Sequence, residues 1–206
     1  MLDLPPPDPR AEIVLASRGI SKGVTQTDGA QLVVRAEIGL GAVFVGGQYK
    51  NISSPTADGE ASFIFGFRKE VGSVDVTATA TYKSLTGLSA QADPDTWEFT
   101  ASGTRKFGLV TPRIALIYSF DDIGSTGRSI YLEGGASLTI TRRAAIIVNL
   151  GHRARKAASD YISFNVGVSY QLQKGVAVDV RYYDTNRGNL GSQFQNRLVG
   201  ALRAQF

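Results

Sequence analysis

The stretch that decides the fold is SVDVTATATYKS, residues 73–84. Its apolar residues stand at every second position, from Val74 to Tyr82, and threonine or charged residues fill the positions between. Successive side chains of a β-strand point to opposite faces, so this pattern predicts a strand with one apolar and one polar face. Residues 161–171 and 176–184 repeat the same alternation.

Turn signals on either side of this stretch divide the chain into about twelve segments of strand length, joined by alternately long and short connections. Residues 21–29, 52–59 and 185–194 form long connections, whereas Gly41 and residues 71–72 form tight ones. This predicts an all-β, transmembrane, antiparallel up-and-down β-barrel of about 12 strands with both termini periplasmic. The predicted strands are residues 11–20, 30–40, 42–51, 60–69, 73–84, 96–106, 111–120, 129–140, 144–155, 161–171, 176–184 and 195–206.

A soluble β-sandwich also alternates, but its strands usually have about 5–6 residues, fewer than these segments have. A closed barrel of about 12 strands is too wide for its own side chains to fill, so its apolar face is expected to point outward to lipid. Aromatic residues gather near the segment ends, as in the two interfacial girdles of outer-membrane barrels. The predicted girdle consists of Tyr49, Phe67, Tyr82, Trp97, Phe107, Phe120, Tyr170, Tyr182 and Phe206.

Composition excludes several other classes of protein. The 206 residues have a mean hydropathy of -0.04, and no apolar run approaches the roughly 18 residues of a membrane helix. The absence of cysteine excludes disulfides, thiolate metal sites and a thiol nucleophile. The net charge of +4 is small and spread along the chain, which argues against a nucleic-acid partner.

The domain prediction is a Pro-rich periplasmic leader over residues 1–10 and a single outer-membrane β-barrel domain over residues 11–206. Met1 is followed directly by a short segment that ends in three consecutive prolines, residues 5–7, without the apolar stretch of a signal peptide. We therefore expect a mature form, without its signal peptide, in the Gram-negative outer membrane.

The polar faces of the strands give the candidate lumen. Rings of charged side chains set the selectivity of pores, and an excess of Arg and Lys favours anions. The alternative is that these charges pair across neighbouring strands and plug the lumen. We expect Arg18, Arg35, Arg181 and Arg197 to converge on one wall, because their strands are adjacent when the barrel closes. The candidate lumen residues are Arg18, Arg35, Glu37, Arg68, Lys83, Glu98, Arg113, Glu133, Arg153, Asp179, Arg181, Arg197 and Arg203.

No reacting constellation is visible in the sequence, so we expect no enzyme and no cofactor. The single histidine, His152, shares the parity of Val148 and Leu150 on the apolar face, whereas Asn149 and Ser163 point inward. One histidine does not make a metal site. The loops carry many aspartates, which turn chemistry explains, although a divalent ion that links them to lipopolysaccharide is an alternative.

Several short motifs resemble the TorF family of porins, a proteobacterial outer-membrane family formerly known only as conserved hypothetical. Residues 18–21 (RGIS) with Thr27 and Asp28 are similar to the family's opening R-G-I-S-Q-(T/S)-D pattern, with Lys22 in place of the usual Gln. Residues 41–53, 60–68 and 182–185 resemble later family motifs in the same order. The resemblance implies an outer-membrane barrel over nearly the whole chain.

Two functions follow from this sequence as expectations. The first is an outer-membrane porin that passively conducts small hydrophilic solutes with weak anion preference. The second is a non-conducting barrel that acts as a structural anchor or partner subunit of an envelope assembly. The expected partners are outer-membrane lipids and lipopolysaccharide, other envelope proteins, and the outer-membrane assembly machinery, which would read the C-terminal strand ending in Phe206.

Overall fold

A computed structural model describes residues 5–54, 57–88, 93–123 and 126–206. In these residues twelve antiparallel strands close into a barrel, and two short strands form a separate hairpin. The predicted all-β barrel is therefore confirmed. The barrel strands are β1 (Asp8–Ala16), β4 (Gln31–Leu40), β5 (Val43–Ser54), β6 (Ala57–Val71), β7 (Val74–Thr86), β8 (Asp95–Thr104), β9 (Val110–Asp122), β10 (Gly127–Thr139), β11 (Ala144–Arg155), β12 (Tyr161–Gln173), β13 (Val176–Thr185) and β14 (Arg197–Gln205).

Each strand pairs with its neighbour in sequence, and β1 closes the barrel by pairing with both β4 and β14. The closure with β14 runs from Glu12 opposite Gln205 to Ala16 opposite Ala201. Because the strands alternate in direction and their number is even, the start of β1 and the end of β14 lie at the end of the barrel that carries the short turns. We call this the short-turn end and the opposite one the long-loop end.

The first strand differs from its prediction at both ends. It begins at Asp8, inside the stretch assigned to the leader, and it ends at Ala16 rather than at residue 20. Pro9 is tolerated because β14 pairs with β1 only from Glu12 onward, so that Pro9 has a strand neighbour on one side alone. The early end leaves Arg18 beyond the strand, at the long-loop end.

A second boundary also moves. Residue 105 falls within the sixth predicted strand, residues 96–106. Strand β8 ends at Thr104 instead, and Arg105 lies in the following turn with its guanidinium 4.5 Å from the centre of the Phe107 ring. An arginine outside the strand needs no place on the apolar face.

The two faces of the wall differ sharply in chemistry. The outward face carries large apolar side chains with much of their surface exposed, such as Leu198 at 68% and Phe120 at 66%. The inward face buries polar side chains, such as Ser119 at 0% and Ser163 at 2%. A soluble core has the opposite arrangement, so the wall is built for an apolar environment outside and a polar lumen inside. Within the described ranges no helix has the length and apolarity needed to cross a membrane.

The connections at the two ends differ in build. At the short-turn end Gly41 and Gly72 have φ angles of 63° and 64°, a left-handed conformation that tight hairpin turns require and glycine adopts at no steric cost. At the long-loop end, two short 3-10 helices, Gly188–Leu190 and Ser192–Phe194, join β13 to β14. The connection from β1 to β4 contains the separate hairpin of β2 (Ile20–Ser21) and β3 (Val24–Thr25).

Candidate functional site: the lumen and its two mouths

The hairpin of β2 and β3 folds into the lumen at the long-loop end. Its base is closed by a backbone hydrogen bond of 2.8 Å from the Gln26 N–H to the Gly19 carbonyl. Its tip is the pair Lys22 and Gly23, with φ angles of 49° and 80°. A lysine in the left-handed region is uncommon, and such a conformation persists where surrounding contacts hold it in place.

Those contacts come from the far wall of the barrel. The Lys22 ammonium pairs with Glu98 of β8 and lies 3.8 Å from the nearest Asp122 oxygen of β9. The Tyr161 hydroxyl of β12 donates a hydrogen bond of 2.9 Å to the Lys22 carbonyl. Burial lowers the pKa of Lys22, while the Glu98 carboxylate opposes this shift by stabilising the charged form. The tip of the hairpin is thus fixed by three different strands.

The base of the same hairpin is tied to the near wall. The Lys50 ammonium of β5 donates a hydrogen bond of 2.8 Å to Gln26 and pairs with Glu60 of β6 at 3.1 Å. The Ser53 N–H donates to the Gln26 carbonyl at 2.8 Å. Because its base and its tip contact opposite walls, the hairpin spans the mouth of the barrel.

A network of charged side chains surrounds the tip. Lys83 pairs with Glu98, and Arg153 pairs with Asp122. The Ser129 hydroxyl donates a further hydrogen bond of 2.7 Å to Asp122. Together with Lys22, three basic groups face two carboxylates, so the cluster carries a net positive charge.

The lumen toward the short-turn end has a second positive cluster. Glu37 accepts hydrogen bonds from both Arg35, at 2.9 Å, and Arg68, at 3.0 Å. The Arg68 guanidinium also lies 4.5 Å from the centre of the Phe44 ring. A cavity of about 560 Å³ opens beside these groups, with Arg10 and Glu12 also in its lining. One carboxylate shared by two guanidiniums leaves one excess positive charge in this trio. The cavity lining as a whole is balanced, because Asp8 and Glu12 stand beside Arg10.

Five further predicted lumen residues form one-to-one pairs along the wall. Arg181 donates to Asp179 at 2.9 Å, and Arg203 lies 3.4 Å from Glu12. Arg113 of β9 pairs with Glu133 of β10. In these pairs the charges neutralise each other, which is the alternative to a charged pore that we considered from the sequence.

Arg18 and Arg197 sit together at the long-loop mouth, where they line a cavity of about 750 Å³ with Gln26 of the hairpin. Arg197 donates to the carbonyls of Gln195, at 3.0 Å, and Ser192. Among the described residues neither arginine forms an ion pair with a carboxylate. They therefore bring two positive charges to a cavity whose lining also includes the Asp28 carboxylate.

The four arginines that were predicted to converge on one wall do not form one group. Arg18 and Arg197 line the cavity at the long-loop mouth, whereas Arg35 lines the cavity at the short-turn end and Arg181 is held by Asp179. Adjacent strands do bring the residues to one side of the barrel, but their positions along the strands spread them over its height.

Sequence reasoning missed several lumen residues that the structure brings together. Lys22 lay in a predicted loop, and nothing local signals that this loop turns inward. Asp122 lay beyond the predicted strand end and was assigned to the outer loops. Lys50 and Glu60 face each other across β5 and β6 and had the inward parity, so a strict parity count could have found them.

The outer wall carries the aromatic residues near both ends. Tyr82 and Trp97 have ring centres 5.3 Å apart, and Phe120 contacts Phe99 edge to face at 5.7 Å. All nine predicted girdle residues are partly or largely exposed, and two of them, Phe107 and Phe206, lie just outside the strands. His152 is exposed on the outer face opposite Leu132 and Ile162, as its parity predicted.

Comparisons with known proteins support the fold. No protein-family model matches this chain, and neither does any curated protein sequence, so the TorF resemblance stays a prediction. The structure is similar to that of the KdgM porin, with a TM-score of 0.65 and 12% identity over 96% of this chain and 99% of that one. A second structure, of KdgM in complex with disordered oligogalacturonate, matches at 0.65 and 11% identity over the same shares.

The NanC porin is similar as well, with a TM-score of 0.64 and 7% identity over 95% of this chain and 97% of its own. Identities this low establish a shared fold and not a shared solute. This chain and the two porins therefore share the barrel fold.

Proposed function

We propose that this chain is an outer-membrane porin that passes small hydrophilic solutes passively, with a weak preference for anions. The observation that carries the proposal is the sharing of carboxylates in the lumen, where Glu37 is shared by Arg35 and Arg68. Because each such cluster keeps a positive excess, anions are concentrated and cations repelled along the path. The fold shared with two porins and the apolar outer wall support the location in a membrane.

The test is ion selectivity in planar bilayers under a salt gradient. We expect the purified protein to give discrete conductance steps and a reversal potential on the anion side. The double variant Arg35→Ser with Arg181→Ser should move the reversal potential toward cations. The matched control is Arg142→Ser with Arg143→Ser, which removes the same charge from exposed positions in the turn between β10 and β11.

Solute uptake gives an independent measurement. Glucose and glucuronate have similar size and differ in charge, so vesicle influx of the pair separates selection by charge from selection by size. We expect faster influx of glucuronate at low salt, with the difference lost at high salt as screening increases. Equal influx of both sugars at low salt would contradict the anion preference.

A non-conducting anchor or partner subunit of an envelope assembly is the second candidate, and the inward hairpin favours it. Lys22 and Glu98 are each only 7% exposed, so the tip of the hairpin is tightly packed in the mouth. Silent bilayers with correctly folded protein would support this reading. The paired charges would then serve as a structural plug.

Membrane partners are part of the same proposal. We propose that outer-membrane lipids contact the apolar wall, that lipopolysaccharide surrounds the long-loop end, and that the assembly machinery reads the strand that ends in Phe206. The Phe206 side chain is 78% exposed, while its backbone pairs with Ala11 on the neighbouring strand. Replacing Phe206 with Ser should slow assembly in cells and leave the stability of the refolded barrel unchanged.

A further inference from the structure

The position of the β2–β3 hairpin divides the long-loop mouth unequally. The hairpin leaves the wall between β1 and β4 and reaches β8, β9 and β12 on the other side of the barrel. On the far wall its tip is in close contact, because a Cβ added at Gly23 would lie 2.2 Å from the Ser163 Cβ. No solute passes between the tip and that part of the wall while these contacts hold.

The opposite flank of the hairpin faces open space. Thr25, Gln26 and Thr27 line the 750 Å³ cavity together with Arg18 and Arg197. The two arginines face the hairpin across this cavity from the ends of β1 and β14. The Thr25 and Thr27 hydroxyls are themselves buried. The space that remains at the mouth therefore has the Gln26 amide and the Asp28 carboxylate on one side and guanidiniums on the other.

We infer that the hairpin of residues 20–25, fixed by Lys22, is the constriction that sets the size limit and charge preference of the pore, and that solutes enter between it and the arginines at positions 18 and 197. This inference rests on the proposed porin function. The inference assigns solute specificity to a segment that the sequence analysis identified only as a long connection. It also gives Lys22 a role as a positioning residue, since its ammonium holds the hairpin rather than the solute.

Lys22 is suited to this role because of what faces it. Its ammonium pairs with Glu98 and lies within 4 Å of Asp122, in a site closed to bulk water. A carboxylate in the same place would leave three carboxylates facing only Lys83 and Arg153. The excess of like charge in this low-dielectric site repels the tip. Substitution of Lys22 by Glu therefore releases the tip without removing any part of the barrel wall.

The base of the hairpin permits a second and more complete variant. The Gly19 carbonyl oxygen and the Gln26 nitrogen are 2.8 Å apart, so the two segments that lead into the hairpin are already close enough for a tight turn. A Gly-Gly turn in place of residues 20–25 closes this gap as a two-residue hairpin loop does. The variant removes the constriction and keeps the tether between Gln26 and Lys50.

The experiment compares four proteins in planar bilayers: the natural chain, Lys22→Glu, the Gly-Gly replacement and Lys156→Glu. The last is the matched control, because Lys156 is exposed in the connection between β11 and β12 at the same end of the barrel. We expect the Gly-Gly variant to roughly double the conductance and to admit larger sugars in vesicle influx, since the narrowest part of a pore dominates its resistance. Lys22→Glu should fluctuate between the natural and the enlarged level and shift the reversal potential toward cations.

The outcomes separate the inference from the function on which it rests. If the natural chain conducts and neither hairpin variant changes conductance, size limit or selectivity, the inference is wrong and the porin function stands. If only the Gly-Gly variant and Lys22→Glu conduct, the hairpin closes the pore fully, which supports the constriction and overturns passive conduction by the intact chain. If folded preparations of all four are silent, the porin function and the inference fail together.

Discussion

Lys22, in the connection that follows the first strand, forms an ion pair with Glu98 of β8, 76 residues later in the chain. This pair joins a loop to the far wall of the lumen. Glu98 also holds Lys83, so the same carboxylate links the hairpin to β7 and β8. The position of the hairpin in the mouth therefore depends on a contact between residues that are far apart in the sequence.

The lipid-facing wall can be tested within a single strand. Val166 is near the middle of β12 and Leu172 is near its short-turn end, and both point outward. We expect Val166→Arg to lower the free energy of unfolding by about 2–4 kcal/mol, and Leu172→Arg by no more than about 1 kcal/mol, because the cost of a charge depends on depth in the bilayer. Urea titration in lipid vesicles measures both. Equal costs at the two positions would show that β12 does not cross hydrocarbon.

The cluster at the short-turn end predicts a gain of selectivity. Replacing Glu37 with Gln removes the carboxylate that Arg35 and Arg68 share and leaves two unneutralised guanidiniums beside the cavity. We expect the reversal potential in a salt gradient to move further toward anions. Asp121→Asn is the control, since Asp121 is exposed at the long-loop end of β9. A shift of the same size in the control would indicate a general surface effect.

The arginines at the long-loop mouth predict a dependence on ionic strength. The double variant Arg18→Ser with Arg197→Ser removes the positive charge that lines the entrance. We expect lower anion conductance than in the natural protein at about 0.01 M salt and little difference at about 1 M, because the Debye length falls from about 30 Å to about 3 Å. A deficit that persists unchanged at high salt would mean that these residues act by shape alone.

Packing inside the lumen predicts a loss of stability at one glycine. The Phe44 ring lies over Gly66, and a Cβ added there would be 2.1 Å from the ring. Gly66→Ala must displace Phe44 and the Arg68 guanidinium that rests on it, so we expect a loss of about 1–3 kcal/mol in the free energy of unfolding. At Gly134, an added Cβ meets nothing within 4 Å, and Gly134→Ala should be close to neutral. Similar unfolding curves for the two variants would contradict this account of the ring.

Much of the barrel could be predicted because the two-residue alternation of side chains along a strand is a local property of the sequence. The alternation from Val74 to Tyr82 predicted the faces of β7, and the structure places it between β6 and β8 as a hairpin neighbour of both. The same parity placed His152 outside and Arg181 inside. The predictions failed where a strand ended, as at Ala16 and Thr104, since an end depends on the neighbouring strand as well as on the residue itself.

The sequence by itself determined the number of barrel strands, their two faces and the tight turns at Gly41 and Gly72, since side-chain alternation and turn residues act over a few positions. Only the tertiary structure decided that the first connection turns inward and that Lys22 meets Glu98 and Asp122. It also decided which arginines are neutralised and which, like Arg18, are not. These contacts depend on barrel closure and strand register, which bring distant residues together and leave no periodic trace in the chain.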